Sequence, residues 1–239
     1  MKVADKAGLL RALSTISLLA ITTHALIIHT LGGELEYWEV ILIELLWIPI
    51  LLSSNSKCKR GLLVLFMAFS GYFLPRLLNL VPWSYLEPLF KPDIFFNDAI
   101  FQIIGIKAKM VFTNYGPFIR VENIGLVGYL VGCSSLRAIP MLLAMLVPLT
   151  TSISRKLLAA ITSILLVYPL NALRVALIIK ASEIFSLDLM TSHILLSPLL
   201  SIITISLIMW IEDIIVKGEL INEIENGFDC LLSFLNLRL

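Results

Sequence analysis

The sequence predicts an all-α polytopic membrane protein of about six transmembrane helices, with a small extracytoplasmic helix and a hairpin-like insertion before the fourth span. Three observations lead there. Hydrophobic residues make up 59% of the 239 positions and charged residues 15%, at a mean hydropathy of +0.96, far outside ordinary soluble usage. Apolar runs long enough to cross a bilayer recur along the chain. The basic residues gather in alternate connections, as they do where those connections face the cytoplasm. One membrane domain, 1–239, is the simplest organisation.

The first run, 9–31, follows Lys2, Lys6 and Arg11, which imitate the charged start of a signal peptide; no small-x-small cleavage site ends it, so it is expected to be retained. The next, 37–53, is shorter and reaches spanning length with Tyr37 and Trp38 in the interface. Further spans are expected at 61–81, 125–149, 157–180 and 190–216. The basic connections "SSNSKCKR" and "SRK", with the N-terminus and Lys217, fall on one side if every span alternates, which places both termini in the cytoplasm. The long connection at 82–124 then lies outside. Within it "DIFFNDAIFQIIGI", 93–106, has helical amphipathic spacing, and "KMVFTNYGPFIRVEN", 109–123, alternates around an Asn-Tyr-Gly-Pro turn like a β-hairpin. The tail, 217–239, places Leu220, Ile221, Ile224, Phe228 and Leu231 at near-helical spacing, as an interfacial cytoplasmic helix does.

Several chemistries are excluded early. A net charge of +1 with scattered basic residues leaves no nucleic-acid footprint. The three cysteines, Cys58, Cys133 and Cys230, form no CxxC pair and no cluster with the three histidines, so neither a metal site nor a disulfide framework is indicated. His24 and His29 are five apart, about 140° around a helix, and do not share a face. Cys58, beside Lys57 and Lys59, is expected to be either acylated or merely cytoplasmic, Cys230 to lie on the apolar face of the tail, and Arg76 to snorkel to the outer surface.

Polar residues inside the later spans stand apart. In "GYLVGCSSLRAIPMLLAML", Cys133 opens an apolar run, flanked by a glycine and two serines, where unpaired helix N–H groups and a nearby cation favour a thiolate. Arg174 sits within "YPLNALRVALIIK", about six residues or ~9 Å before the outer end of its span, too deep for easy snorkelling. Asn171 is one turn earlier on the same face, and Pro169 frees backbone carbonyls there. His193 opens the last span. The alternating topology brings Cys133, Arg174 and His193 to one level just beneath the outer surface. Ser134 supports this group, and Arg137, one turn beyond the cysteine, could bind an acidic or phosphate group near the site or simply pair with an outer-face carboxylate.

At these residues the chain resembles the exosortase/archaeosortase family of membrane-embedded cysteine transpeptidases. Its motifs are a cysteine in a Cys-Ser-Gly-like turn opening one helix, Asn-x-x-Arg in the next, and a histidine or arginine opening the third. Here they read "GCSSLR" with Cys133, "NALR" with Asn171 and Arg174, and "MTSHILLS" with His193, and the similarity covers roughly 109–200. Ser135 stands where a glycine is common, as does Ser197. The small number of spans suits an archaeal-type or minimal member. The resemblance implies a protein-sorting enzyme at the outer surface of the cell membrane. Its partner would be an exported protein ending in a short motif, a transmembrane helix and a basic tail. Cys133 would form a thioester, Arg174 would stabilise the oxyanion or orient the thiolate, and His193 would carry protons. A membrane lipid is a possible acceptor, and no cofactor is required. Rival readings are a channel or transporter lined by Arg174, His193 and Glu44, a simple intramembrane cysteine protease, and a structural partner of a surface-layer assembly machine with an inert Cys133.

Overall fold

A computed structural model describes residues 50, 53, 55–73, 75, 78, 81–122, 124–129 and 133–234. In chain order they form α1 (Ser56–Phe73), α2 (Trp83–Ile104), β1 (Ala108–Thr113), β2 (Gly116–Val121), β3 (Gly125–Gly128), α3 (Ser135–Leu146), α4 (Ile153–Phe185), α5 (Leu189–Ile215) and α6 (Glu219–Phe234). The chain divides into two compact units. Of the described residues, one holds those up to Ser70 with 144–150 and those from Glu219 onward, and the other holds those within 71–143 and 151–218.

In the first unit α1 begins where Asn55 caps it, its side-chain oxygen accepting from the Lys57 N–H at 3.0 Å. The helix meets α6 at Gly61 and Gly227: a Cβ on Gly61 would lie 2.3 Å from the Gly227 nitrogen, so only glycine permits this approach. Arg60 pairs with Glu223 at 3.5 Å, and Cys58 is joined to Cys230 by a disulfide with Cα atoms 5.7 Å apart. This corrects one sequence expectation: the chain does carry a disulfide, one whose 172-residue separation no local spacing could reveal. On α6, Leu220, Glu223 and Gly227 are buried while Phe228 and Leu232 stay exposed.

The second unit is built on α2. Leu86, Phe90, Asp93, Asn97 and Phe101 recur at helical spacing and form its buried face. Gly105 ends the helix in the left-handed region at φ 73°, and Ile106 N–H returns to the Phe101 carbonyl at 2.8 Å. The helix begins ten residues before the amphipathic segment read from sequence, because it takes Pro88 and Pro92 into its body. The hairpin follows, with Thr113 opposite Gly116 across the Asn114-Tyr115 turn, and β3 adds to the other side of β2 in the order β1-β2-β3. Leu86, Phe90, Phe101, Met110, Ile119 and Val121 are part of one core that continues onto α4 through Val175, Ala176 and Ile179.

Among the described residues two helices are long and apolar enough to cross a membrane, α4 with 33 residues and α5 with 27. They pack on one another, joined by a tight connection in which Ser186 adopts φ 52° and Asp188 caps α5 by accepting from Thr191 N–H at 2.9 Å. Leu195, Leu199, Ile202, Trp210 and Ile214 form an exposed apolar row along α5, more continuous than a water-facing helix carries.

These findings overturn the expectation of about six transmembrane helices in an all-α chain: among the described residues two helices qualify, and a three-stranded sheet is present. The expected span 61–81 is replaced by α1, whose first turns hold Lys57, Lys59 and Arg60 and which ends at Phe73. The expected span 125–149 is divided into β3 and the 12-residue α3, about 18 Å of helix against a bilayer core of about 30 Å. The expected spans 9–31 and 37–53 lie outside the described residues apart from isolated positions, as do His24, His29, Glu44 and Arg76.

Candidate functional site

The site forms where α2, the end of β3, the start of α3, and helices α4 and α5 meet within the second unit. Asp93, fully buried on α2, organises it. Its carboxylate accepts from Ser135 Oγ at 2.7 Å, from Ser135 N–H at 3.2 Å, from Tyr129 OH at 3.2 Å and from Asn171 Nδ2 at 3.4 Å. A carboxylate on one helix thus caps the N-terminus of another, holding the α3 start with the charge that its dipole favours. Burial raises the Asp93 pKa above the usual carboxylate value, and the hydrogen bonds from Ser135, Tyr129 and Asn171 offset part of that rise. Tyr129 is itself buried, and burial followed by the Asp93 charge pushes its phenol well up.

Cys133 precedes the capped helix. Two residues of α4, one turn apart, hold its backbone carbonyl: Asn171 Nδ2 donates at 3.0 Å and Arg174 Nη2 at 2.9 Å. Asn171 also donates to Tyr129 Oη at 2.8 Å, so both of its amide protons are drawn into the network. The other arm of Arg174 donates from Nη1 to Ser201 Oγ at 2.7 Å, and Ser201 in turn donates to the Ser197 carbonyl at 2.6 Å. The thiol of Cys133 is not in a disulfide, and its Sγ lies 3.5 Å from His193 Nε2. His193 occupies the first turn of α5, the helix fixed by the Asp188 cap.

The structure therefore brings together four of the residues singled out from sequence: Cys133, Asn171, Arg174 and His193. Ser134 is buried beside the cysteine at the α3 start. Arg137 has its guanidinium 3.8 Å from the centre of the Tyr72 ring, a cation-π contact. No protein-family model, curated protein or solved structure matches the chain. Among the described residues there is also no group of three or more His, Cys, Asp or Glu side chains able to hold a metal ion.

Sequence reasoning missed Asp93, Tyr129 and Ser201. Ser201 had a usable signal, since His193, Ser197 and Ser201 recur every four residues and give α5 a polar stripe along one face. Asp93 and Tyr129 had none, because their partners lie 36 to 78 residues away.

A thiol beside an imidazole can act as a nucleophile-base pair. Arg174 holds the carbonyl of Cys133 itself, which fixes the backbone from which the thiol projects.

Proposed function

We propose that this chain is a membrane-embedded cysteine peptidase or transpeptidase of exosortase/archaeosortase type, acting on C-terminal sorting signals of exported proteins at the extracytoplasmic surface. The observation that carries this reading is the 3.5 Å approach of Cys133 Sγ to His193 Nε2, with Arg174 and Asn171 holding the Cys133 carbonyl. The three motifs that resemble the family supply these residues. The apolar exterior of α4 and α5 supports placement in a bilayer.

In this reading His193 takes the thiol proton, the thiolate attacks the scissile carbonyl carbon, and the C–N bond breaks as His193 returns the proton to the leaving amine. An acceptor then gives its proton to His193 and displaces the sulfur, releasing either a hydrolysed product or one joined to the acceptor, for which a membrane lipid is a candidate. Arg174 serves as a positioning residue, keeping the cysteine backbone fixed while the bonds to sulfur change.

C-terminal mapping by mass spectrometry of the exported proteins in cells carrying Cys133→Ala tests the proposal. Proteins with a motif, an apolar helix and a basic tail should accumulate uncut, and the wild type should yield a hydroxylamine-sensitive adduct on Cys133. Normal processing by Cys133→Ala would overturn it.

A further inference from the structure

The sheet beside the site has one covered edge and one open edge. On the covered edge, β1 lies against α2 and the Met110 N–H is taken by Asp98 Oδ1 at 2.7 Å. On the open edge, among the described residues, the sheet ends at β3. Register shows which groups of β3 are free. Tyr129 N–H donates to the Pro117 carbonyl at 2.9 Å, so the pair 117 and 129 is a hydrogen-bonded one. Antiparallel pairs alternate, which makes Ile119 with Val127 and Val121 with Gly125 the next bonded pairs. Leu126 and Gly128 therefore turn their N–H and C=O groups away from β2. Leu126 is 56% exposed, and a Cβ added at Gly128 would meet nothing within 4 Å. The sequence of β3, GLVG, has neither the charge nor the proline that commonly guards an exposed strand.

This edge runs into the candidate nucleophile. Tyr129 continues the ladder by one residue, its hydroxyl accepts from Asn171 Nδ2 at 2.8 Å, and the same amide donates to the Cys133 carbonyl at 3.0 Å. A single side chain thus links the end of β3 to the backbone of the cysteine.

We propose that β3 is a docking strand, to which an extended segment of the substrate polypeptide adjoining the scissile bond adds as a fourth strand; this rests on the peptidase reading of Cys133. The occupant is an extended peptide because the free groups are main-chain donors and acceptors spaced two residues apart, the pattern that strand addition satisfies. Recognition through Leu126 and Gly128 delivers the peptide in the direction of Cys133 and leaves the choice of sequence to the side chains that alternate along it.

The test uses the full chain in lipid nanodiscs with Cys133→Ala, and as probe a peptide selected on it from a random-sequence phage library. N-methylation of that peptide, one residue at a time, should weaken binding about fivefold or more at every second position and little between. Gly128→Pro removes one outward N–H at a position where β2 needs none, and should weaken the same peptide by a similar factor with the melting temperature unchanged. Failure to retain any peptide, losses without alternation, or full affinity in a normally melting Gly128→Pro chain would each overturn the docking strand. Alternating losses without cleavage by the Cys133 form would uphold it and defeat the peptidase reading; cleavage without alternation does the reverse.

Discussion

Replacing Asp93 with alanine should be the most damaging single change outside the proposed Cys133–His193 pair. The substitution leaves three donors without their acceptor in a buried setting: the Ser135 N–H, the Ser135 hydroxyl and the Tyr129 hydroxyl. At the low end of about 1–3 kcal/mol for each orphaned group, the loss is roughly 3 kcal/mol. For a chain of this size that corresponds to a fall in melting temperature of about 6–12 °C, read by tryptophan fluorescence in detergent. Asp93→Asn keeps the shape and one acceptor and should lose about half as much. A pH series adds a sign. Burial raises the Asp93 pKa above its unfolded value, so its protonated form contributes stability that is fully present below about pH 3.8 and is lost as pH rises through the higher folded value. The gap in melting temperature between wild type and Asp93→Asn should therefore widen on acidification. An Asp93→Ala chain that melts with the wild type, or a gap that narrows at low pH, would refute the assignment of Asp93 as the centre of the network.

Two further predictions concern close geometry elsewhere. Arg174→Lys cannot span both the Cys133 carbonyl and Ser201 Oγ, and should lower cleavage in cells by about tenfold to a hundredfold, with Ser201→Ala milder; near-normal cleavage by the lysine variant would remove the positioning role. Gly61→Ala sets a methyl group 2.3 Å from the Gly227 nitrogen and 2.6 Å from the Glu223 carbonyl, both backbone atoms, so α1 and α6 must part at a cost of about 1–3 kcal/mol. Faster reduction of the Cys58–Cys230 bridge by dithiothreitol should report that separation, and an unchanged rate would refute it.

What the sequence disclosed depended on range. Asn171 with Arg174 is a pattern within one helix, and periodicity exposes it; the tail is helical as its spacing suggests, but its buried face is Leu220, Glu223 and Gly227, with Ile221 and Phe228 exposed. The hairpin turn is local too, and it lies where alternation placed it, with Thr113 opposite Gly116. The region 125–149 was misjudged because a short apolar run does not distinguish a strand from a helix; Gly125, Gly128 and the polar Cys133-Ser134-Ser135 stretch were the features that divided it. Asp93 read as one polar residue on an amphipathic helix, and only the fold sets it under the N-terminus of α3. Cys58 and Cys230 each looked solitary for the same reason.

The Cys58–Cys230 bridge also changes what kind of polymer this is. It encloses everything from residue 59 to residue 229, including the sheet, both long helices and every residue of the candidate site, in one covalent ring with a tail at each end. A ring of that circumference loses on the order of 5 kcal/mol worth of disorder when unfolded, relative to an open chain. It also alters the meaning of a cut. A protease that severs one exposed turn inside the ring, at Asn114-Tyr115 for example, converts the ring to a line and releases no fragment. The two pieces travel together until a reductant reaches the sulfurs, so a nicked molecule runs as two bands only on a reducing gel.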